Sequence, residues 1–183
     1  MRIISGKFRG RQIHPPANLP VRPTTDYAKE SLFNILNNTI DIEDLDVLDL
    51  FAGTGSISFE FFSRGCRSVK SIDVDHKCIH FIKRTAELMK ADNLEAVRMN
   101  CFQFLKFPGK SYDLIFADPP YDLEGIDRLP DMIGSSGLLK KDGLFILEHS
   151  KDYSFAEHPY FSQHRDYGSV NFTFFRYVNP EVG

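Results

Sequence analysis

Short apolar runs interleaved with segments of helical periodicity constrain this chain more than any other feature. Val47-Leu48-Asp49-Leu50-Phe51, Ser68 to Asp73, Ala96 to Asn100, Tyr112 to Ala117 and Gly143 to Glu148 read as five strands, several apolar on both faces. Between them, one helix is expected through Phe59, Phe62 and Ser63, ending near Gly65. A second is expected over Lys77 to Lys90, with Ile79, Ile82, Ala86 and Met89 on one side, and a third over Gly125 to Ser135. Strands apolar on both faces that alternate with helices predict an α/β fold with a mostly parallel, doubly wound sheet. Tyr160 to Arg165 and Val170 to Val178, with Gly168 between them, predict a final hairpin and hence an antiparallel strand.

Ahead of this body, Thr24-Thr25-Asp26 offers N-caps for a helix reaching about Asn37, with Ala28, Leu32, Ile35 and Leu36 on one face. Residues 2–5 and 11–14 are expected to pair as a hairpin around Gly6-Lys7-Phe8-Arg9-Gly10. The 183 residues suffice for a single domain, 1–183, made of an arm over 1–22 and a core over 23–183.

The arm is basic. Residues 1–25 hold Arg2, Lys7, Arg9, Arg11 and Arg22 and no acid, so the remainder carries −8 of an overall −3. Such asymmetry suits an arm that meets a polyanion while the body does something else. No apolar run approaches the roughly 20 residues that span a membrane, and Met1 to Lys7 shows no apolar signal-peptide core. Cys66, Cys78 and Cys101 lack metal-like spacing and fit buried thiols in a reducing cytoplasm. Among the six histidines only His76 and His80 stand four apart, with no third ligand, so no metal is expected.

Four successive strand ends carry polar residues: Asp49, Asp73, Asn100 and Asp118. Packing prefers apolar residues there, and in doubly wound sheets ligands sit beyond those ends. Gly53-Thr54-Gly55 allows close backbone approach, but Ser58 stands where a dinucleotide fold would have its third glycine. A carboxylate such as Asp49 beside the turn would repel a pyrophosphate and hold an ammonium group. That favours an amino-acid-bearing nucleoside such as S-adenosylmethionine over NAD. Asp73 is placed to accept ribose hydroxyls, Asp75 to cap the next helix, and the Asn100 amide to meet an adenine edge.

Asp118-Pro119-Pro120-Tyr121 follows the fourth strand. Two prolines cannot extend a ladder and stiffen the loop. The Asp118 carboxylate and the Pro119 carbonyl can accept both hydrogens of one NH2 group, and the Tyr121 ring can stack on a flat heterocycle. This suits an amine attached to an aromatic base.

Asp-Leu-Phe-Ala-Gly-Thr-Gly followed by Asp-Pro-Pro-Tyr resembles class I S-adenosylmethionine-dependent methyltransferases that modify exocyclic amines. Ile4 to Arg11, Arg22-Pro23-Thr24-Thr25-Asp26, Glu30-Ser31-Leu32-Phe33-Asn34, Tyr167-Gly168 and Phe174-Phe175-Arg176 are similar to the RsmD family. That resemblance implies a Rossmann-like fold and methylation of a guanine N2 in small-subunit ribosomal RNA, free or in an assembly intermediate. It implies S-adenosylmethionine as methyl donor, leaving S-adenosylhomocysteine. The chain is expected to work in the cytoplasm as a monomer.

By the same resemblance Asp49, Phe51, Gly53 and Gly55 border the methionine moiety. Asp73 and Val74 hold the ribose side, and Asn100 with Cys101 lies near the adenine. Asp118, Pro119, Pro120 and Tyr121 form the catalytic loop. Lys7, Arg9, Arg11, Arg22 and Thr24 meet RNA, the Arg22 to Thr24 segment folding over cofactor and target. The motifs leave open an adenine-N6 methyltransferase, a nucleotide-dependent oxidoreductase on the same sheet, and a non-catalytic RNA-binding module.

Overall fold

A computed structural model describes residues 1–21, 25–107 and 109–177. Seven strands form one sheet: β1 (Asp46–Leu50), β2 (Ser68–Asp73), β3 (Leu94–Arg98), β4 (Tyr112–Ala117), β5 (Leu139–His149), β6 (Phe161–Tyr167) and β7 (Val170–Arg176). Their order is β3-β2-β1-β4-β5-β7-β6. The first five are mutually parallel, and β7 runs antiparallel to β5 and β6. This is the Rossmann-like sheet with a C-terminal hairpin that the strand pattern implies.

The two faces follow from side-chain alternation. Val47, Val69, Leu114, Phe116, Leu144 and Ile146 project toward α1 (Asp26–Asn37), α2 (Ser56–Ser63) and α3 (His76–Met89). Leu48, Leu50, Ile115, Ala117, Phe145 and Leu147 project toward α4 (Cys101–Phe104) and α5 (Leu129–Ser136). Caps start the helices where the sequence offers them. The Thr25 side chain accepts from Ala28 N–H, and the Asp75 side chain from Lys77 and Cys78 N–H.

Two expectations need correction. β3 begins and ends two residues earlier than the apolar run suggests, so Asn100 lies beyond it and caps α4, a four-residue helix that its sequence does not announce. β5 begins at Leu139 because the chain after α5 already pairs with Tyr112 before a register shift at Leu114. The N-terminal segment pairs as the expected hairpin, in a short form: Arg2 bridges Gln12 antiparallel, Ile3 N–H donates to the Arg11 carbonyl and Ile13 N–H to the Met1 carbonyl. The expected end of the last strand at Val178 lies outside the described residues.

The loop is held to α2 by polar groups inside the protein. Glu60, fully buried, accepts from Ile4 N–H at 2.8 Å, Ser5 N–H at 3.0 Å and Arg64 Nε at 2.8 Å. Buried Lys29 donates to the Arg2 carbonyl and to Ser56 Oγ. At Gly6, φ is +81° and a Cβ would lie 1.9 Å from the Ser63 carbonyl oxygen, so any other residue would unseat the turn.

Candidate active site

The acidic strand ends converge. Asp49, Asp73 and Asp118 each continue the alternation that points Val47, Val69 and Phe116 toward α1–α3, so all three share that face of the sheet. They stand at the ends of β1, β2 and β4, three adjacent strands.

Asp73 is preset by backbone donors. Its Oδ2 accepts from Gly53 N–H and its Oδ1 from Asp75 N–H, both at 2.8 Å. The carboxylate therefore ties the glycine turn to the end of β2 and fixes the angle at which further donors can approach. Gly53 (φ +54°) and Gly55 (φ +74°) are left-handed, and a Cβ on Gly55 would press on Phe59 and Ile82 at 3.0 Å. Phe51 is left-handed too, at φ +62°, a strained state for a bulky residue of the kind that clusters at ligand sites. Val74 is 62% exposed, an apolar surface beside the Asp73 carboxylate.

Asp49 lies deeper. Ser58 Oγ donates to it and also meets Ser71 Oγ at 2.7 Å. Ser58 thus serves the carboxylate, which explains a serine where a dinucleotide fold would keep glycine. Burial, against the help of Ser58 and with the charges of Asp118 and Asp73, pushes Asp49 up to about 7. Asn100 spends its Oδ1 on Gln103 N–H at the start of α4, and Cys101 is buried with its thiol pushed up to about 12. Those two therefore present a capped helix start rather than a strand end.

In the loop after β4, Pro119 is buried and Pro120 exposed. Leu123 N–H donates to the Pro120 carbonyl at 2.9 Å and closes the turn. Among the described residues no hydrogen bond reaches the Pro119 carbonyl, which leaves it free as an acceptor. Burial pushes Asp118 up to about 7. Tyr121 remains 44% exposed. Burial and then the carboxyls of Glu148 and Asp118 push its phenol up to about 12.

Glu148 is a candidate site residue that the sequence motifs do not include. It stands on β5 next to Asp118, since Ala117 pairs with Leu147. Its signal was the same as that of the others, an acid at the end of an apolar run.

Lys7, Arg9 and Arg11 are exposed, with Lys7 and Arg11 over the Phe8 ring at 5.5 and 5.8 Å, and Phe8 stacked on Phe62. They sit where Lys7 N–H meets the Ser63 carbonyl, at the far end of α2 from the glycine turn. Eight helical residues place this basic tip about 12 Å or more from the acids. Arg22 and Thr24 lie outside the described residues. His76 and His80 are exposed, and among the described residues no three metal-ligating side chains gather. An open cleft among Ser5, Asn37, Asp41, Glu43 and Arg64 includes none of the acids at the strand ends.

The family model described as Conserved hypothetical protein 95 matches residues 1–176. Ribosomal RNA small subunit methyltransferase D of Buchnera aphidicola (subsp. Baizongia pistaciae) is 34% identical over 81% of this chain and 75% of its own length. The protein of the same name from Escherichia coli K12 is 32% identical over 81% and 74%. Among solved structures, the Escherichia coli protein yhhF superposes with a TM-score of 0.86 at 27% identity, covering 98% of this chain and 99% of that one. A hypothetical protein of Thermus thermophilus superposes with a TM-score of 0.80 at 27% identity over 96% and 98%.

Proposed function

The chain belongs to the Conserved hypothetical protein 95 family, the RsmD family, and on that premise we propose that it methylates the exocyclic N2 amine of a guanine in small-subunit ribosomal RNA. The observation that carries the reading is the acceptor pair of Asp118 and the unencumbered Pro119 carbonyl, set one strand from the Asp49–Gly53–Asp73 cradle. Free, buried cysteines Cys66, Cys78 and Cys101 fit work in a reducing cytoplasm.

The cradle fits S-adenosylmethionine. Asp73, anchored by two N–H groups, has lone pairs left for ribose hydroxyls, Val74 offers an apolar platform to the adenine, and Asp49 with the Gly53–Gly55 turn borders the amino-acid end. A pyrophosphate would meet two carboxyls in the same place. When bound, S-adenosylmethionine supplies an electrophilic sulfonium methyl.

The remaining work is done by the chain. A guanine N2 is a weak nucleophile because its lone pair is delocalised into the ring. Asp118 and the Pro119 carbonyl accept its two N–H bonds and turn the lone pair toward the methyl. Positioning of this kind is worth roughly 7–11 kcal/mol in the best cases. Asp118 also stabilises the positive charge that grows on nitrogen, and with its carboxyl near neutrality it can take the released proton. Tyr121 stacks on the base, worth about 1–3 kcal/mol. The base must be splayed out of any stack to reach the loop. Lys7, Arg9 and Arg11 hold phosphates at the other end of α2, with the Arg22 to Thr24 segment completing the RNA contact.

Methyl transfer from labelled S-adenosylmethionine to small-subunit ribosomal RNA and to small-subunit particles, followed by nucleoside analysis, tests the reading. Label is expected on N2-methylguanosine. Label on adenosine overturns the guanine assignment, and no label on either substrate overturns the activity.

A further inference from the structure

Glu148 has no task in the mechanism above, yet its setting calls for one. It continues the alternation of Leu144 and Ile146, so it shares a face with Asp118 and lies directly beside it across the β4–β5 pairing. Glu148 is 5% exposed, and among the described residues its Oε2 is sealed from solvent with no hydrogen-bond partner. Among the described residues no cation pairs with it. A buried carboxylate with no cation beside it and one oxygen left unpaired is too costly to stay charged. The side chain therefore keeps its proton. Burial first, then the Asp118 charge, push it up to about 9, with the Tyr121 phenol pulling the other way. Asp49 and Asp73 occupy β1 and β2, the cofactor half of the cleft, whereas Glu148 lies on β5 and Asp118 just past β4, the target half. Buried polar atoms are nearly always paired, so an orphan on the target half points to a partner that arrives with the substrate.

A neutral carboxyl offers one O–H donor and one carbonyl acceptor. Beside N2 on the Watson–Crick edge of guanine stand N1–H, a donor, and then O6, an acceptor. With both N2 hydrogens taken by Asp118 and Pro119, these two remain for the neighbouring strand end. We propose that Glu148 is the specificity-determining contact for guanine, accepting N1–H and donating its own proton to O6. An adenine presented by N6 would offer a bare N1 and a C2–H there, leaving the Glu148 carbonyl oxygen buried and unpaired. The inference rests on the guanine-N2 reading and deepens it.

The test begins by mapping the nucleotide that the wild-type enzyme methylates, then compares RNA carrying guanine or 2-aminopurine at that position. 2-Aminopurine keeps the amine but lacks N1–H and O6. Wild-type kcat/KM is expected to fall about 10- to 100-fold on 2-aminopurine RNA, the loss typical of unpairing buried polar groups. Glu148→Ala should lose about as much on guanine RNA and little more on 2-aminopurine RNA, because both changes delete the same contact. Glu148→Gln keeps one donor and one acceptor, and should recover at least about tenfold over Glu148→Ala on guanine RNA. S-adenosylmethionine affinity and melting temperature report folding. Should Glu148→Ala not fold, wild type and Glu148→Gln on the two RNAs still decide. Equal wild-type rates on both RNAs, or a Glu148→Gln variant as poor as Glu148→Ala, would overturn the inference while leaving guanine methylation standing. A wild-type enzyme that labels no guanine would instead remove the reading beneath it.

Discussion

Strand β1 carries two buried aspartates three residues apart, and they behave oppositely. Asp46 opens the strand at the amino pole of the sheet. Burial would raise its carboxyl, but Lys110, Ser68 and Lys140 all donate to it and hold it far below the usual carboxylate range. Arg67 pairs with it at 3.2 Å, and Lys140 bridges on to Asp113 at 2.8 Å. Asp49 lies further along the same strand, meets serine hydroxyls and other acids, and is pushed up to about 7. The same residue type in the same strand is therefore a staple at one pole and a poised acid at the other. Cations make the difference. The amino pole supplies three, whereas at the carboxyl pole no cation pairs, among the described residues, with Asp49, Asp73, Asp118 or Glu148. A pole that leaves its acids unpaired gives up stability and gains groups whose charge a cationic substrate can complete.

That contrast can be broken in several ways. The largest effect is expected at Asp118. Asp118→Ala should lower kcat by about 10²–10³-fold or more while S-adenosylmethionine affinity stays within a few-fold. A fully active variant would show that the acceptor loop is not the chemical site. Next comes pH. Asp118 must be ionised to accept the amine and its proton, so kcat/KM for RNA should rise about tenfold per unit up to about 7 and then level. A profile flat from about 5.5 to about 8.5 would mean that the carboxyl is already ionised and that the two poles differ less than their partners suggest.

Stability should then move in opposite directions at the two poles. In the unfolded chain Asp118 loses its proton near 4, but the folded chain retains it up to about 7, so stability is highest below pH 4 and falls as pH rises between those values. Asp118→Asn should therefore be more stable than wild type at pH 8, by roughly 2–4 kcal/mol, with no gain at pH 4. Asp46→Ala should cost about 1–3 kcal/mol at pH 7, because it removes the carboxylate that Arg67, Lys110 and Lys140 share, and should leave kcat untouched at temperatures where the variant is folded. Thermal melts at the two pH values check both, and equal signs would erase the distinction. The smallest effect belongs to the basic tip. Arg9→Ala with Arg11→Ala should weaken RNA binding modestly and lower the salt dependence by about two phosphate contacts, without altering S-adenosylmethionine binding. An unchanged RNA affinity would make the tip purely structural.

Much of this was legible before any coordinates. β2 and β4 fall where the apolar runs place them, and Thr25 and Asp75 cap the helices as their positions suggest. These features depend on neighbours a few residues away. Asn100 shows the limit: its position at a strand end was a reading of local pattern, and the next four residues turned it into a helix cap instead. Ser58 shows another, since its role depends on Asp49 nine residues earlier and Ser71 on the next strand. Glu148 closes an apolar run as the other acids do, but that local pattern does not say what it stands beside. Only the Ala117–Leu147 register sets it beside Asp118.

Residue type and spacing were enough for the strand–helix alternation, the doubly wound sheet, the stiff acceptor loop and the basic character of the N-terminal segment. Folding in three dimensions settled which acids ionise, which way the basic tip points, and which buried oxygen waits for a partner. Those depend on the distance between groups that are remote in the chain, and an electrostatic or hydrogen-bonding energy has no value until that distance exists.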